Sequence, residues 1–177
     1  TMHYDPSTLV TENMSIAGLY DTSYGYDSKG RLTTITTNTR QTAFTYNAQG
    51  FLEFATDPGG YSTTYTHDAL GRTTGISRAD GSSIGFTYDK NGNMTVLTNP
   101  STIDHSFGFN KVNRNNSYQT PLSGNYSYVY DKDRRLKQTD FPSGNQINNI
   151  YANGRLEQIQ TPEGNIDFTY ICSTTVE

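Results

Sequence analysis

Tyr26-Asp27-Ser28-Lys29-Gly30-Arg31-Leu32 decides the reading of this chain, because it comes back. It returns as His67-Asp68-Ala69-Leu70-Gly71-Arg72, as Tyr88-Asp89-Lys90-Asn91-Gly92-Asn93-Met94 and, shortened, as Tyr151-Ala152-Asn153-Gly154-Arg155-Leu156. The leading place is held by Tyr26, Tyr46, His67, Tyr88, Phe109, Tyr130, Tyr151 and Tyr170, at steps of 20, 21, 21, 21, 21, 21 and 19 residues. A fixed period of that length marks a repeat architecture, in which one small unit is stacked many times.

Two turn signals divide each unit. In Asp-x-x-Gly, the residues Gly30, Gly50, Gly71 and Gly92 fall four after the aromatic. Glycine there supplies a positive φ, and an Asp or Asn side chain ahead of it closes the turn. Asn113 holds the glycine place in the fifth unit and is the residue next best suited to it. Arg134 in the sixth does not fit, so a different turn is expected there. The second signal is Pro-x-Gly: Pro58, Pro100, Pro121, Pro142 and Pro162 lie 11 or 12 residues after their aromatics, and Gly60, Gly81, Gly144 and Gly164 mark the same turns. Signals so close leave no room for a helix, and each repeat reads as two short strands.

Strand alternation sorts the rings. Ile84-Gly85-Phe86-Thr87-Tyr88 sends Ile, Phe and Tyr to one face and Gly and Thr to the other. A second aromatic column runs two residues ahead of the first, through Tyr24, Phe44, Tyr65, Phe86, Phe107, Tyr128 and Phe168, broken only by Asn149. Along the following strand the apolar residues are three apart, as in Leu32 and Ile35, Met94 and Leu97, or Leu156 and Ile159. A flat strand would send such pairs to opposite faces, so a bulge between them is expected. The fold class is all-β: an antiparallel meander of hairpin repeats, roughly 14 strands at ~4.8 Å spacing. Its ring-covered face is expected to be buried by curling or by a second layer, with Phe86, Tyr88, Tyr128 and Tyr130 touching rings of neighbouring units. Residues 1–23 read as an irregular or degenerate first repeat, and 24–177 as about seven repeats, the last truncated. The chain reads as a piece of something longer.

Composition narrows the function. The 177 residues are only 32% hydrophobic, yet hold 14 Tyr and 8 Phe; disordered chains are poor in such residues. A net charge of -4 argues against nucleic acid, which needs a basic stripe. No apolar run of about 18 residues is present to span a membrane, and no signal peptide is visible. The single cysteine, Cys172, excludes an internal disulfide and has no companion that would make it a catalytic thiol.

His3, His67 and His105 are too scattered for a metal site, and His67 stands where other units have Tyr, which reads as a packing substitute. Asp27, Asp68, Asp89 and Asp131 form a ladder that Ca²⁺ could use. Turn closure by each Asp, with Arg31, Arg72 or Arg135 beside it, accounts for the Asp and the Arg together and is preferred. Rows of Tyr, Asn and Thr suit sugars if exposed, although most rings belong to the face to be covered. The N-x-Ser/Thr sequons at Asn13, Asn93, Asn115 and Asn125 are what an Asn-rich chain yields by chance. No acid pair, nucleophile elbow or phosphate loop stands out; neither cofactor nor enzymatic activity is expected.

From Tyr24 to Tyr170 the chain resembles the YD-repeat or Rhs family, on the strength of Tyr-Asp-x-x-Gly-Arg-Leu recurring in phase and followed by Pro-x-Gly. The resemblance implies a hairpin strip that spirals into a hollow shell, as in shell-forming subunits of bacterial toxin complexes and in teneurins. It implies a secreted or cell-surface setting, and as partners further YD repeats of the same or neighbouring chains. The family's self-cleaving Asp-Pro-rich segment and its variable toxin tail have no match here, so processing and toxicity are not carried over. The expected function is a non-catalytic scaffold, either shell wall around a cargo or a self-assembling extracellular filament, with carbohydrate or cell-surface binding as the alternative.

Overall fold

The computed structural model describes residues 1–6, 10–122 and 124–170. Every regular element among them is a β-strand. The strands divide into two compact units, Thr1–Phe86 and Thr87–Glu177.

The first unit holds β1 (Met2–Tyr4), β2 (Thr11–Met14), β3 (Thr22–Tyr26), β4 (Leu32–Thr37), β5 (Arg40–Tyr46), β6 (Leu52–Thr56), β7 (Ser62–His67), β8 (Thr73–Ser77) and the start of β9 (Ser83–Tyr88). The second holds β10 (Met94–Thr98), β11 (Asp104–Phe109), β12 (Asn115–Gln119), β13 (Asn125–Tyr130), β14 (Leu136–Asp140), β15 (Gln146–Ala152), β16 (Arg155–Thr161) and β17 (Gly164–Asp167). Within each unit, every strand pairs antiparallel with the next one in sequence. Two strands per period is the repeat expected from the turn signals, and with the short β1, β2 and β17 the described residues hold 17 strands rather than about 14.

The bulge is present and recurs. Tyr24 opposes Ile35 and Gly25 opposes Thr34, but Tyr26 opposes Leu32, which leaves Thr33 as the extra residue. The same slip leaves Glu53, Thr74, Asn116, Lys137 and Glu157 extra in the equivalent ladders. One additional residue turns a spacing of three into a spacing of two, so Leu32 and Ile35 both reach the face that carries Tyr24 and Tyr26.

Both turn signals build one turn. The N–H of Asp27 donates to the carbonyl of Arg31, and the N–H of Gly30 to the carbonyl of Asp27. Asn47, Asp68, Asp89, Asn110 and Asp131 repeat this frame on one edge, and Asp57, Arg78, Asn99 and Phe141 repeat it on the other. Proline enters the second set at the position after the closing residue, where its fixed φ suits a type I turn. Gly30, Gly50, Gly71 and Gly92 have φ of 76°, 95°, 81° and 88°, and Asn113 has 58°.

Two expectations are corrected. Arg134 does not make a different turn: its φ is 64°, and its N–H donates to the Asp131 carbonyl as glycine's does elsewhere. The bonds on either side of Arg134 dictate its conformation against its own preference. Nor is the ring face sealed by a second layer, since no described side chain is fully buried. The ring-bearing residues Tyr24, Phe44, Tyr65 and Phe107 remain half-exposed.

Candidate functional site

The recurring chemistry lies at the joint between one repeat and the next. It starts in the turn, where Oδ1 of Asp27 accepts the backbone N–H of Lys29 and of Arg31, each at 2.9 Å. That leaves Oδ2 for the guanidinium, which donates through Nε at 2.7 Å. Asp68 holds Arg72 and Asp131 holds Arg135 the same way. The N–H of Arg31, aided by its guanidinium and the N–H of Lys29, keeps the Asp27 carboxyl below the usual carboxylate range. Asp131 is lowered by the same groups of Arg135 and the N–H of Asp133. In Asp89 the side-chain amide of Asn93 leads the lowering.

Arg31 and Arg135, so fixed, reach forward, as does Arg155, whose turn of Ala152, Asn153 and Gly154 has no carboxylate. Arg31 lies 4.4 Å over the ring of Tyr46, Arg135 4.7 Å over Tyr151, and Arg155 5.2 Å over Tyr170. The tyrosine in turn reaches back. The hydroxyl of Tyr46 donates to the Leu32 carbonyl at 2.7 Å, that of Tyr151 to Leu136 at 3.0 Å and that of Tyr170 to Leu156 at 2.8 Å. Tyr26 and Tyr130 make the equivalent bond to Thr11 and Asn115. Each acceptor sits at the bulge, where the ladder is interrupted and a carbonyl needs a donor. Arg, Leu and the next Tyr therefore form one clamp across the joint, with an Asp behind the Arg at Arg31 and Arg135.

The exceptions within the chain follow the same logic. In the second repeat the turn residue is Asn47, the Arg place holds Phe51, and the next aromatic is His67. Without a guanidinium there is no charge for a carboxylate to meet, and the Phe51 and His67 rings pack at 5.4 Å instead. A Cβ on Gly71 would lie 2.5 Å from the Phe51 ring, so this glycine is required by contact as well as by φ. His67 keeps a buried Nδ1 with no partner. Asn110 likewise offers no carboxylate, and its Arg114 stands exposed.

Sequence reasoning placed Tyr26, Gly30, Arg31, Tyr46, Gly50, His67, Gly71, Arg72, Tyr88, Gly92, Phe109, Tyr130, Tyr151 and Tyr170 in the repeat, but not the forward reach of the arginines or the backward bond of the tyrosines. It also missed a run of ring contacts, between Phe107 and Tyr118 at 5.1 Å, Tyr118 and Tyr126 at 5.9 Å, and Tyr126 and Phe141 at 5.5 Å. His105 joins them, 6.0 Å from Tyr118 and sharing a 2.7 Å hydrogen bond with its hydroxyl. Tyr118, Tyr126 and Phe141 lie outside the two periodic columns, and so escaped notice. Among the described residues no three His, Cys, Asp or Glu gather as a metal-holding group, and no helix is long and apolar enough to cross a membrane. Cys172 lies outside the described residues.

Fold and clamp together define a class: a β-hairpin repeat array stitched from repeat to repeat by arginine and tyrosine. The profile of the Teneurin YD-shell family matches residues 1–176, and the chain belongs to that family. Among solved structures it is similar to a chain of the TcdB2-TccC3-Cdc42 crystal structure, at TM-score 0.65 and 15% identity over 94% of this chain and 11% of that one. It is also similar to a chain of the Photorhabdus luminescens Tc holotoxin pore carrying a TccC3 substitution, at TM-score 0.66 and 15% identity over 85% of this chain and 10% of that one. The chain thus spans about a tenth of the length of these structures, and the likeness is one of fold. No curated protein matches it.

Proposed function

We propose that this chain is a stretch of non-catalytic shell wall in a secreted or extracellular protein, and that its partners are further YD repeats of the same or a neighbouring chain. One observation carries the reading. The recurrent side-chain chemistry is spent on the joint between repeats, where Arg31 and Tyr46 in the first unit and Arg135 and Tyr151 in the second make the same clamp. A clamp that recurs along the array suits a surface extended by repetition, where each repeat is stabilised mainly by its neighbours. Membership of the Teneurin YD-shell family supports the same reading.

The half-exposed ring face adds an expectation of association, because exposed apolar faces invite partners. Electron microscopy of the chain in its assembled form is the test. The expected result is a sheet in which these strands continue into further hairpins and border an enclosed volume. A compact domain bordering nothing, with its ring face covered by an unrelated partner, would overturn the wall. Light scattering of the isolated 177 residues should show concentration-dependent association, and a concentration-independent monomer would remove self-assembly from the reading.

A further inference from the structure

The first hairpin has every part of the clamp but one. Tyr4 opposes Thr11 as Tyr26 opposes Leu32, and the same slip of register leaves Glu12 extra where the next ladder has Thr33. The N–H of Asp5 donates to the carbonyl of Val10, as that of Asp27 does to the carbonyl of Arg31. The Tyr26 hydroxyl donates to the Thr11 carbonyl at 2.8 Å, as that of Tyr46 does to Leu32. Asp5 therefore holds the Asp place, Thr11 the Leu place and Tyr26 that of the next tyrosine. The Arg place is held by Val10.

The space that a guanidinium takes at other joints is here a hollow of about 430 Å³. Asp5, Val10 and Glu12 line it from one repeat, and Tyr24, Tyr26 and Asp27 from the next. Among the described residues no guanidinium lies over the Tyr26 ring, whereas Tyr46, Tyr151 and Tyr170 each have one. The turn glycines record the same difference. A Cβ on Gly50 would lie 3.3 Å from Nη1 of Arg31, and one on Gly154 would lie 3.9 Å from Nη1 of Arg135. Around the equivalent place on Gly30, which also lines the hollow, no described atom comes within 4 Å.

The walls suit a cation. The face of a tyrosine ring attracts one, and a planar guanidinium stacks there better than an ammonium does. Glu12 is exposed and makes no hydrogen bond or ion pair among the described residues, so its carboxylate is available as a counter-charge. Asp27 is already engaged by its own turn and by Arg31, and with Asp5 it adds negative potential.

We propose that this hollow takes the arginine side chain of a separate polypeptide, with its guanidinium over the Tyr26 ring and against Glu12. The incoming arginine completes the clamp that Val10 leaves unfinished. Arginine is preferred to lysine, and citrulline, which keeps the plane and loses the charge, is refused. The inference does not depend on the wall reading, since the hollow lies wholly within the first unit and its test reads binding rather than assembly.

Titration of the 177-residue chain with capped Gly-Arg-Gly, Gly-Lys-Gly and Gly-citrulline-Gly peptides and with free arginine, followed by nuclear magnetic resonance, tests it. The arginine peptide should shift the resonances of Tyr26, Glu12 and Gly30, and the lysine peptide should bind about threefold more weakly or worse. Free arginine, which adds a second pair of charges, should bind more weakly than the capped peptide. Glu12→Gln should weaken the arginine peptide about threefold or more, and Glu163→Gln, at an exposed carboxylate elsewhere, should change nothing. Val10→Arg supplies the guanidinium from within, and should abolish peptide binding while raising the thermal unfolding midpoint. Silence from the arginine peptide, equal binding of the lysine peptide or insensitivity to Glu12→Gln would each overturn the site. So would peptide binding that survives Val10→Arg in a folded chain, and tighter binding of free arginine would overturn the polypeptide as its occupant.

Discussion

The Tyr46 hydroxyl donates to the carbonyl of Leu32, 14 residues upstream, while the Arg31 guanidinium lies over the Tyr46 ring from the preceding turn. Ring and hydroxyl are therefore used by the same earlier repeat in two directions. Tyr46→Phe separates them, since it keeps the ring beneath Arg31 and removes the donor. A half-buried carbonyl at a bulge then loses its partner, and the expected loss of stability is about 1 kcal/mol. Tyr46→Ala removes both and should cost several times as much. Urea denaturation of the two variants checks the ordering; equal losses would mean that the hydroxyl contributes nothing.

Arg134 and Thr102 occupy the left-handed region at φ of 64° and 59°, in turns whose counterparts use Gly71, Gly92 or Gly144. A side chain there is strained, and for β-branched Thr102 more so. Arg134→Gly and Thr102→Gly should each raise stability by roughly 0.5–1 kcal/mol, the relief of strain being partly offset by the freer unfolded chain. The reciprocal change, Gly92→Ala at φ 88°, should lower it. Thermal unfolding midpoints decide both signs.

The bulge was legible because it leaves a trace in hydrophobic spacing: Leu32 and Ile35 cannot share a face without an extra residue between them. The turns were legible for a similar reason, since Gly at a positive φ is a choice of residue. The clamp was not, because its acceptor is a main-chain carbonyl and every residue has one. Only the Leu that follows Arg31, Arg135 and Arg155 hinted at where it lies. Arg134 misled because local preference was weighed alone, whereas the frame donated and accepted by Asp131 settles the conformation. The second sheet layer was inferred from ring content, and ring content cannot say whether the covering surface belongs to the same stretch of chain.

Acid should loosen the turns. The carboxyls of Asp27, Asp68, Asp89 and Asp131 are all held below the usual carboxylate range. A folded pKa below the unfolded one contributes stability that is fully present above the unfolded value and is lost as pH falls through the folded one. The unfolding midpoint should therefore hold steady from neutral pH to about pH 5 and then fall as these four groups protonate. Combining Asp27→Asn and Asp131→Asn should make that acid-induced fall shallower while lowering stability at neutral pH. An unchanged acid slope in the double variant would show that the turn carboxylates are not responsible.

Asn47, Phe51 and His67 differ together from the Asp, Arg and Tyr of other repeats, and their coupling can be measured. Phe51→Arg alone sets a guanidinium beside Asn47, which has no carboxylate to hold it, and beside His67 in place of a tyrosine ring. The ring contact of 5.4 Å is lost with nothing gained, and destabilisation of about 1–3 kcal/mol is expected. His67→Tyr alone supplies a hydroxyl for the carbonyl of Leu52 and a partner for the Phe51 ring, so its effect should be small or stabilising. The triple variant N47D/F51R/H67Y rebuilds the common clamp, and Gly71 leaves it room, as Gly50 does for Arg31, whose Nη1 lies 3.3 Å from the place a Cβ would take. Stability should then return to that of the parent chain or above it, far from the sum of the single changes. Additive losses across the three positions, measured by urea denaturation, would show that they vary independently and that the inter-repeat clamp is not a unit.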